Sequence, residues 1–542
     1  MDNRRRYRIC RKCYKTIRVE IKVSVIINYK MNDFLSYLDK EILKYKSENN
    51  AVNCAVISSG CKLNQFESYQ FESLFKNSGI NVIESFNINK INENQVHIFL
   101  INTCSVTEKA DNETKRIINR IKKNYPLSTI ILTGCFAQLN KETYVKAEYQ
   151  NAGIKLIDNI QKLDILTKYT NKDKKIFSPA QKRIRANLKI QEGCDIKCAF
   201  CIIPQARPIH WSLDFKEVLS SIEEFYKAGY KEIILSGMNI GSYRSFYEES
   251  YSNNSDSNSY NYNNYNRDNF KQNRQKNQIG NVNNNYYNYN TNINGDYYSN
   301  NSSYYYNKKI EKNFNSLLTA IEELNFPVKI RISSIDPIHI NDDLINILAN
   351  SKKIQNHFHI PIQSGSNKIL NLMKRNYTFE EYFSVIDKIN SKVKDAAIGT
   401  DIISGFPGET EEDFNETVDN LNKLDIYYMH VFSYSDRKGT EAFLMNHKIN
   451  QHTIKQRTSI LRNISLRKKN IFQRKFYGKV LDFLSLSDNK AISSNYIKAN
   501  ILKDKDKDKD KTVLPNTFFK GILIEQEDVA KSEKEDVFCK IC

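Results

Sequence analysis

The 542-residue sequence has no run of the roughly 18 to 20 consecutive apolar residues that a membrane span needs, so no helical span is expected. Hydrophobic residues make up only 40%, little for this length, so a large polar segment with poor core-forming capacity is hidden in the total. Negative charge is also short. Asp and Glu number 62 against 81 Lys and Arg, a net +19 that favours a polyanionic partner such as RNA. Lys, Asn, Ile and Tyr dominate throughout, so a compositional habit is an equal reading of that excess. The first thirty residues are basic and acid-poor, but no small-residue cleavage site follows the apolar stretch 23–27, which makes a poor secretory signal. An organellar address, or a start over-extended upstream of Met31, remains open. Without a credible signal, the eleven cysteines are expected to be reduced and to serve as metal ligands rather than disulfides.

What is present is organised. The length exceeds one ordinary core and implies two or three domains. From about Asn50 to Ile160 apolar strands alternate with amphipathic helices, the pattern of an open parallel α/β sheet. Three of those strands run into Cys61, Cys104 and Cys135. Loops at the carboxyl ends of parallel strands converge on one crevice, so the three thiols are expected to meet. Between about Arg183 and Arg437 six strand-then-helix units follow, the strands beginning near Ala186, Lys231, Val328, His357, Ala397 and Tyr427. Six units predict a partial (β/α)6 barrel rather than a closed eightfold one.

The expected division is an N-terminal extension, disordered or mis-started (1–49), the α/β domain (50–165), the barrel (180–446), a linking basic helix (447–476), a small β-rich domain (477–530) and a tail (531–542). A disordered Asn, Tyr and Ser insertion (245–307) interrupts the barrel after its second strand. Its tyrosines, with Arg267, Lys271, Arg274 and Lys276, suit RNA stacking, though a tolerated loop expansion is the simpler reading. The alternating run from Lys503 to Lys511 reads as a solvated loop.

The strongest local signal is Cys194-Asp195-Ile196-Lys197-Cys198-Ala199-Phe200-Cys201, in the loop after the first barrel strand. Three thiolates there hold three irons of a four-iron cluster and leave one iron open. Zinc is the alternative, but structural zinc wants a fourth ligand and none is near in sequence.

This CxxxCxxC after strand one of a partial barrel resembles the radical S-adenosylmethionine superfamily. Gly60-Cys61-Lys62-Leu63-Asn64-Gln65, Asn102-Thr103-Cys104-Ser105-Val106-Thr107 and Gly134-Cys135-Phe136-Ala137-Gln138 sharpen the likeness to its methylthiotransferases. Matches continue through Ala206-Arg207, Ser236-Gly237-Met238-Asn239, Arg331 to Pro337, His357 to Ser366, Gly399-Thr400-Asp401, Gly405 to Thr410 and His430 to Ser435. The likeness covers about Val52 to Met445, with a weaker echo in the tail, whose Asn495-Tyr496-Ile497-Lys498 resembles the TRAM-like β-barrel that grips tRNA.

The resemblance implies two [4Fe-4S] clusters, on Cys61, Cys104 and Cys135 and on Cys194, Cys198 and Cys201. It implies S-adenosyl-L-methionine held by Gly237, Met238 and Asn239, with Ser333, Gln363 and Asp401 as weaker candidates. Arg207 is a catalytic candidate that meets substrate or stabilises charge near the cluster, against the plain alternative of a surface salt bridge. Within the family, Gly60 to Gln65 and His430 to Ser435 favour the subgroup that methylthiolates N6-threonylcarbamoyladenosine at tRNA position 37. The alternatives are isopentenyladenosine, a ribosomal protein, or a catalytically silent iron–sulfur RNA-binding protein. Partners implied are the tRNA anticodon stem-loop and a reductant such as flavodoxin or ferredoxin, with a monomeric, cytoplasmic enzyme and no membrane.

The family usually carries Gly and basic residues where Pro208-Ile209-His210-Trp211 stands here, so this loop is expected to be reshaped. The terminal pairs Cys10 and Cys13, Cys539 and Cys542 offer a remote zinc reading, and Cys54 reads as a buried strand residue.

Overall fold

The computed structural model describes residues 36, 40–41, 43–45, 51–83, 96–146, 149, 151–173, 184–252, 305–487, 489–502, 513–524 and 537–542. Strands β1 (Asn53–Ser58), β2 (Asn81–Val82), β3 (Ile98–Thr103), β4 (Thr129–Gly134) and β5 (Ile154–Leu156) form one parallel sheet in the order β2-β1-β3-β4-β5. Every residue of β3 and β4 is buried, as expected of strands covered on both faces. Cys54 is fully buried within β1. Part of the 1–49 extension is ordered onto this sheet, contrary to expectation. The Tyr45 ring packs 5.0 Å from His97 and its hydroxyl donates to the Leu127 carbonyl at 3.0 Å. A buried aromatic with a hydrogen-bonded tip offsets the entropy of ordering its turn. Residues 1–35, including Cys10, Cys13 and Met31, lie outside the described residues.

The next unit carries β6 (Ala186–Lys189), the short pair β7 (Gln191–Glu192) and β8 (Trp211–Ser212), and β9 (Glu232–Ser236). The pairing of β7 with β8 is what fixes the Pro208 loop. Strands β10 (Arg244–Ser252) and β11 (Tyr305–Asn313) pair with each other, so the insertion opens and closes as a β-ribbon rather than as disorder from residue 245. Their Phe, Tyr and Ile content suits extended backbone. Residues 253–304, with Arg267, Lys271, Arg274 and Lys276, lie outside the described residues.

Four more strands, β12 (Lys329–Ile332), β13 (His357–His359), β14 (Ala397–Ser404) and β15 (Tyr428–Ser433), continue the barrel. The ladders run β6-β9-β12 and β13-β14-β15, all parallel, and parallel bridges Ile330 to Ile354 and Ser334 to His359 stitch the two halves. Among the described residues no ladder joins β15 back to β6, so the barrel has an open side. The helix Phe215–Lys227 shows why the sequence folds this way. Asp214 caps it by accepting from the Lys216 and Glu217 amides, and Val218, Ile222 and Phe225 on one stripe are fully buried. Each such side chain contributes roughly 1.5 to 3 kcal/mol on burial.

The helix Gln451–Arg474 packs along β15 and leads to a closed five-stranded barrel. Its strands are β16 (Val480–Ser487), β17 (Lys490–Ser493), β18 (Lys498–Leu502), β19 (Phe518–Ile524) and β20 (Phe538–Ile541), in the order β16-β17-β18-β20-β19. Residues 531–542 were expected as a tail, yet β20 closes this barrel, because Cys539 and Val537 are buried between β18 and β19. Residues 503–512 lie outside the described residues. No helix among the described residues is long and apolar enough to cross a membrane.

Candidate iron–sulfur and cofactor site

The adjacent order β1-β3-β4 brings Cys61, Cys104 and Cys135 to one sheet edge, each at a strand's carboxyl end. Glycines make the approach close. A Cβ on Gly60 (φ +102) would fall 2.3 Å from Cys104 Cβ, and one on Gly134 (φ +93) would fall 2.4 Å from the Thr103 carbonyl oxygen. Burial, then the neighbouring Cys135 and Cys61 sulfurs, push the Cys104 thiol up to about 11. Burial likewise raises Cys135, and Arg207 pulls the other way. Two desolvated thiols with a third sulfur beside them are a donor set that fits a multiply charged metal cluster.

Arg207 is not at the surface. It is 1% exposed, so the surface salt bridge is ruled out. Its Nη1 donates to Glu67 Oε1 at 2.7 Å and pairs with Glu192, and its Nη2 donates to Asn64 Oδ1 at 2.6 Å. Lys162 and Lys189 also bond Glu67, at 2.5 and 2.7 Å. Burial alone would raise the Glu67 carboxyl, but Arg207, Lys162 and Lys189 hold it well below the usual carboxylate range. Three basic side chains thus meet two carboxylates in one buried network beside Cys135. Arg207 Nε is buried without a hydrogen-bond partner, a donor suited to a cluster sulfur.

Cys194, Cys198 and Cys201 are half-buried in the loop after β7. The Ala199 amide donates to the Met373 carbonyl, and the Ala199 carbonyl accepts from the Ala442 amide, which pins the loop at both sides. Burial pushes Cys194 up to about 11 and Cys201 up to about 12, with Cys198 adding to both. Arg375 Nη1 donates to Cys198 Sγ at 2.9 Å, and its guanidinium also pairs with Asp336. Sequence reasoning missed Arg375 as a functional residue. Asp336 lay within a quoted motif but carried no role there. Cys135 opens the helix Cys135–Leu139, and Cys201 shortly precedes the helix Ile203–Ala206; these two helices pack together.

Gly237, Met238 and Asn239 form the turn after β9, and Ser333 follows β12, its amide donating to the Leu235 carbonyl at 3.0 Å. Asn239 is 3% exposed, and its Oδ1 and Nδ2 are both buried without partners, as is Ser333 Oγ. Orphaned donors and acceptors together fit a zwitterionic cofactor head such as that of S-adenosylmethionine. Gln363 takes φ +72, and its amide donates to the Asp401 carbonyl at 2.9 Å. Asp401 is engaged elsewhere. Its Oδ1 lies 3.1 Å from His359 Nε2 and 3.2 Å from His430 Nδ1. Burial would raise this carboxyl, yet the two imidazoles bring it down to about 2. The histidines went unassigned, although both stood in quoted motif segments at strand positions facing one lumen.

Below them Glu232 accepts from Arg331 Nε at 2.8 Å and from Gln355 at 3.1 Å, and the Tyr496 ring stacks on His357 at 3.9 Å. A cavity of about 560 Å³ is lined by Tyr428, His430, Tyr496 and Lys498, and one of about 410 Å³ by Lys62, Arg185, Asn187 and Tyr496. Cys542 is exposed while Cys539 faces the β-barrel core, so these two do not form a ligand pair.

Residues 53–154 match an uncharacterised protein family, UPF0004, and residues 302–421 match the radical SAM superfamily. The threonylcarbamoyladenosine tRNA methylthiotransferase MtaB of Aquifex aeolicus is 29% identical, over 81% of this chain and 94% of its own. The tRNA-2-methylthio-N(6)-dimethylallyladenosine synthase of Fusobacterium nucleatum is 30% identical, over 79% of this chain and 87% of its own. Among solved structures, the radical S-adenosylmethionine methyltransferase TsrM of Kitasatospora setae aligns with a TM-score of 0.43 at 11% identity, over 71% of this chain and 73% of its own.

Proposed function

This chain belongs to the methylthiotransferase family of radical S-adenosylmethionine enzymes, and from that premise we propose that it converts N6-threonylcarbamoyladenosine at tRNA position 37 into its 2-methylthio derivative. The reading is supported by the packing of the helix that Cys135 opens against the helix that follows Cys201.

In this reading Cys194, Cys198 and Cys201 hold one four-iron cluster and Cys61, Cys104 and Cys135 hold a second. Gly237, Met238, Asn239 and Ser333 hold S-adenosylmethionine, and Gln363 is a further candidate for its binding. When bound, these groups supply the radical, the sulfur and the methyl group, chemistry that no side chain provides. The chain's own residues orient and insulate. Arg375 fixes the Cys198 sulfur and ties it to Asp336. Arg207 is a positioning residue, since its guanidinium is enclosed by protein and holds Glu67, Glu192 and Asn64 against the Cys135 loop. Asp401 orients His359 and His430. Threonylcarbamoyladenosine is preferred over the dimethylallyl substrate on the residues Gly60 to Gln65 and His430 to Ser435. A monomer in the cytoplasm, reduced by a flavodoxin or ferredoxin and gripping the anticodon stem-loop with its C-terminal barrel, completes the proposal.

Nucleoside mass spectrometry of tRNA from a host that lacks its own enzyme, with and without this gene, tests it. The gene is expected to add the 2-methylthio mark to threonylcarbamoyladenosine, and Cys61→Ser or Cys194→Ser to abolish it. Each substitution also takes anaerobically purified protein from about eight irons to about four. A mark on isopentenyladenosine instead, or no mark from a fully loaded protein, overturns the assignment.

A further inference from the structure

The open side of the barrel, between β6 and β15, is bordered by the two cavities already described. They share Tyr496 and Leu486 as a common wall, with Lys62 and Asn187 on one side and His430 on the other. Among the described residues, neither cavity has an Asp or Glu in its lining, whereas Lys62, Arg185, Lys469, Lys490 and Lys498 all border one or the other. The positive field there is felt by a neighbour. The His357 imidazole is held well below its usual range by burial first and then by charges that include Arg331, Lys62 and Arg185. A lumen with this lining suits an anion with polar substituents and suits a hydrocarbon poorly.

Position along the chain adds the second constraint. Lys62 directly follows Cys61, one of the three thiols assigned to the sulfur-donating cluster. Adenine C2 and the carbon bearing N6 lie on the same six-membered ring with one nitrogen between them. Whatever group N6 carries must therefore lie within a few bonds of the place where sulfur is delivered. The N6-threonylcarbamoyl group ends in a carboxylate and a hydroxyl, and the N6-isopentenyl group ends in methyls.

Resting on the function proposed above, we propose that the cavity lined by Lys62, Arg185 and Asn187 receives the N6 substituent of the target adenosine, and that Lys62 selects a carboxylate-bearing substituent over an apolar or neutral one. Lys62 and His430 lie in the two segments that set this subgroup apart in sequence, and the fold brings both to cavities with one shared wall.

The test uses full-length, cluster-loaded protein and three labelled anticodon stem-loop RNAs, with threonylcarbamoyladenosine, its carboxyl methyl ester, or unmodified adenosine at position 37. Binding is read by fluorescence anisotropy without S-adenosylmethionine, and product by mass spectrometry with it. Wild type is expected to bind the free acid about tenfold more tightly than the ester, the worth of one charge-assisted hydrogen bond. Lys62→Met is expected to erase that ratio and leave the unmodified RNA unaffected, and Lys62→Arg to keep it. Equal binding of acid and ester by wild type overturns the inference without recourse to any variant. So does a Lys62→Met protein that weakens all three RNAs alike, which would assign Lys62 to a backbone phosphate. Failure of the function itself reads differently, as no methylthio product from wild type on the free acid whatever the binding ratio.

Discussion

At the scale of the residue, charge is placed where burial makes it costly and is answered by partners. Glu232 is fully buried, and burial would raise its carboxyl, but Arg331, Arg185 and Gln355 hold it at about 2 against an ordinary 4.5. A carboxylate depressed in the folded state stabilises above its unfolded value and loses that contribution as pH falls toward the folded one. The shift corresponds to roughly 3 kcal/mol at neutral pH, present above about pH 4.5 and lost as pH falls to about 2. Glu232→Gln is expected to destabilise by roughly 3 to 5 kcal/mol at pH 7, since it leaves Arg331 buried without its counter-charge. Chemical denaturation at pH 7 and pH 3 checks this, with a smaller gap between variant and wild type at pH 3. An equal gap at both would contradict the assigned charge. The Gly-Cys pairs were legible because only glycine allows Cys104 and Thr103 to come so near. Arg207 was legible as a conspicuous residue and not as a buried one, because nothing local says that Glu67, 140 positions away, will meet it.

At the scale of the element, the clearest surprise is β20. It pairs parallel with β18 and antiparallel with β19, so one four-residue strand removes two free edges. A chain ending at residue 536 is expected to lose that closure and to be cut by trypsin within β16 to β19 under conditions where full-length protein resists. An unchanged digestion pattern would show that the barrel holds without it. The strand was missed because Phe538 to Ile541 is short and follows a charged run, so its hydrophobic period has too few residues to register. The six barrel strands were legible for the opposite reason. Each belongs to a repeated strand-then-helix unit, and their onsets fall within a residue or two of expectation. The β10 and β11 ribbon lay hidden in the composition of the segment it borders.

At the scale of the molecule, the paired strands β10 and β11 bound a segment that separates from the remainder of the chain. Replacing 253–304 with an Asn-Gly turn between β10 and β11 is expected to stabilise by up to roughly 3 kcal/mol, because each halving of a loop's length lowers its closure cost by about 0.6 kcal/mol. A calorimetric scan of both forms reads it, and a large drop in melting temperature would refute it. The sequence by itself determined the α/β class, the number of barrel units and the six thiols, since these rest on local periodicity and on spacings within a loop. Tertiary structure alone decided that a buried cation network backs Cys135, that Asp401 lies beside two histidines, and that the cavity lined by Lys62 and the one lined by His430 meet at Tyr496 and Leu486. Those facts are contacts between segments tens to hundreds of residues apart, and such contacts are set by how strands order in a sheet and how its open side is filled, which no window of sequence contains.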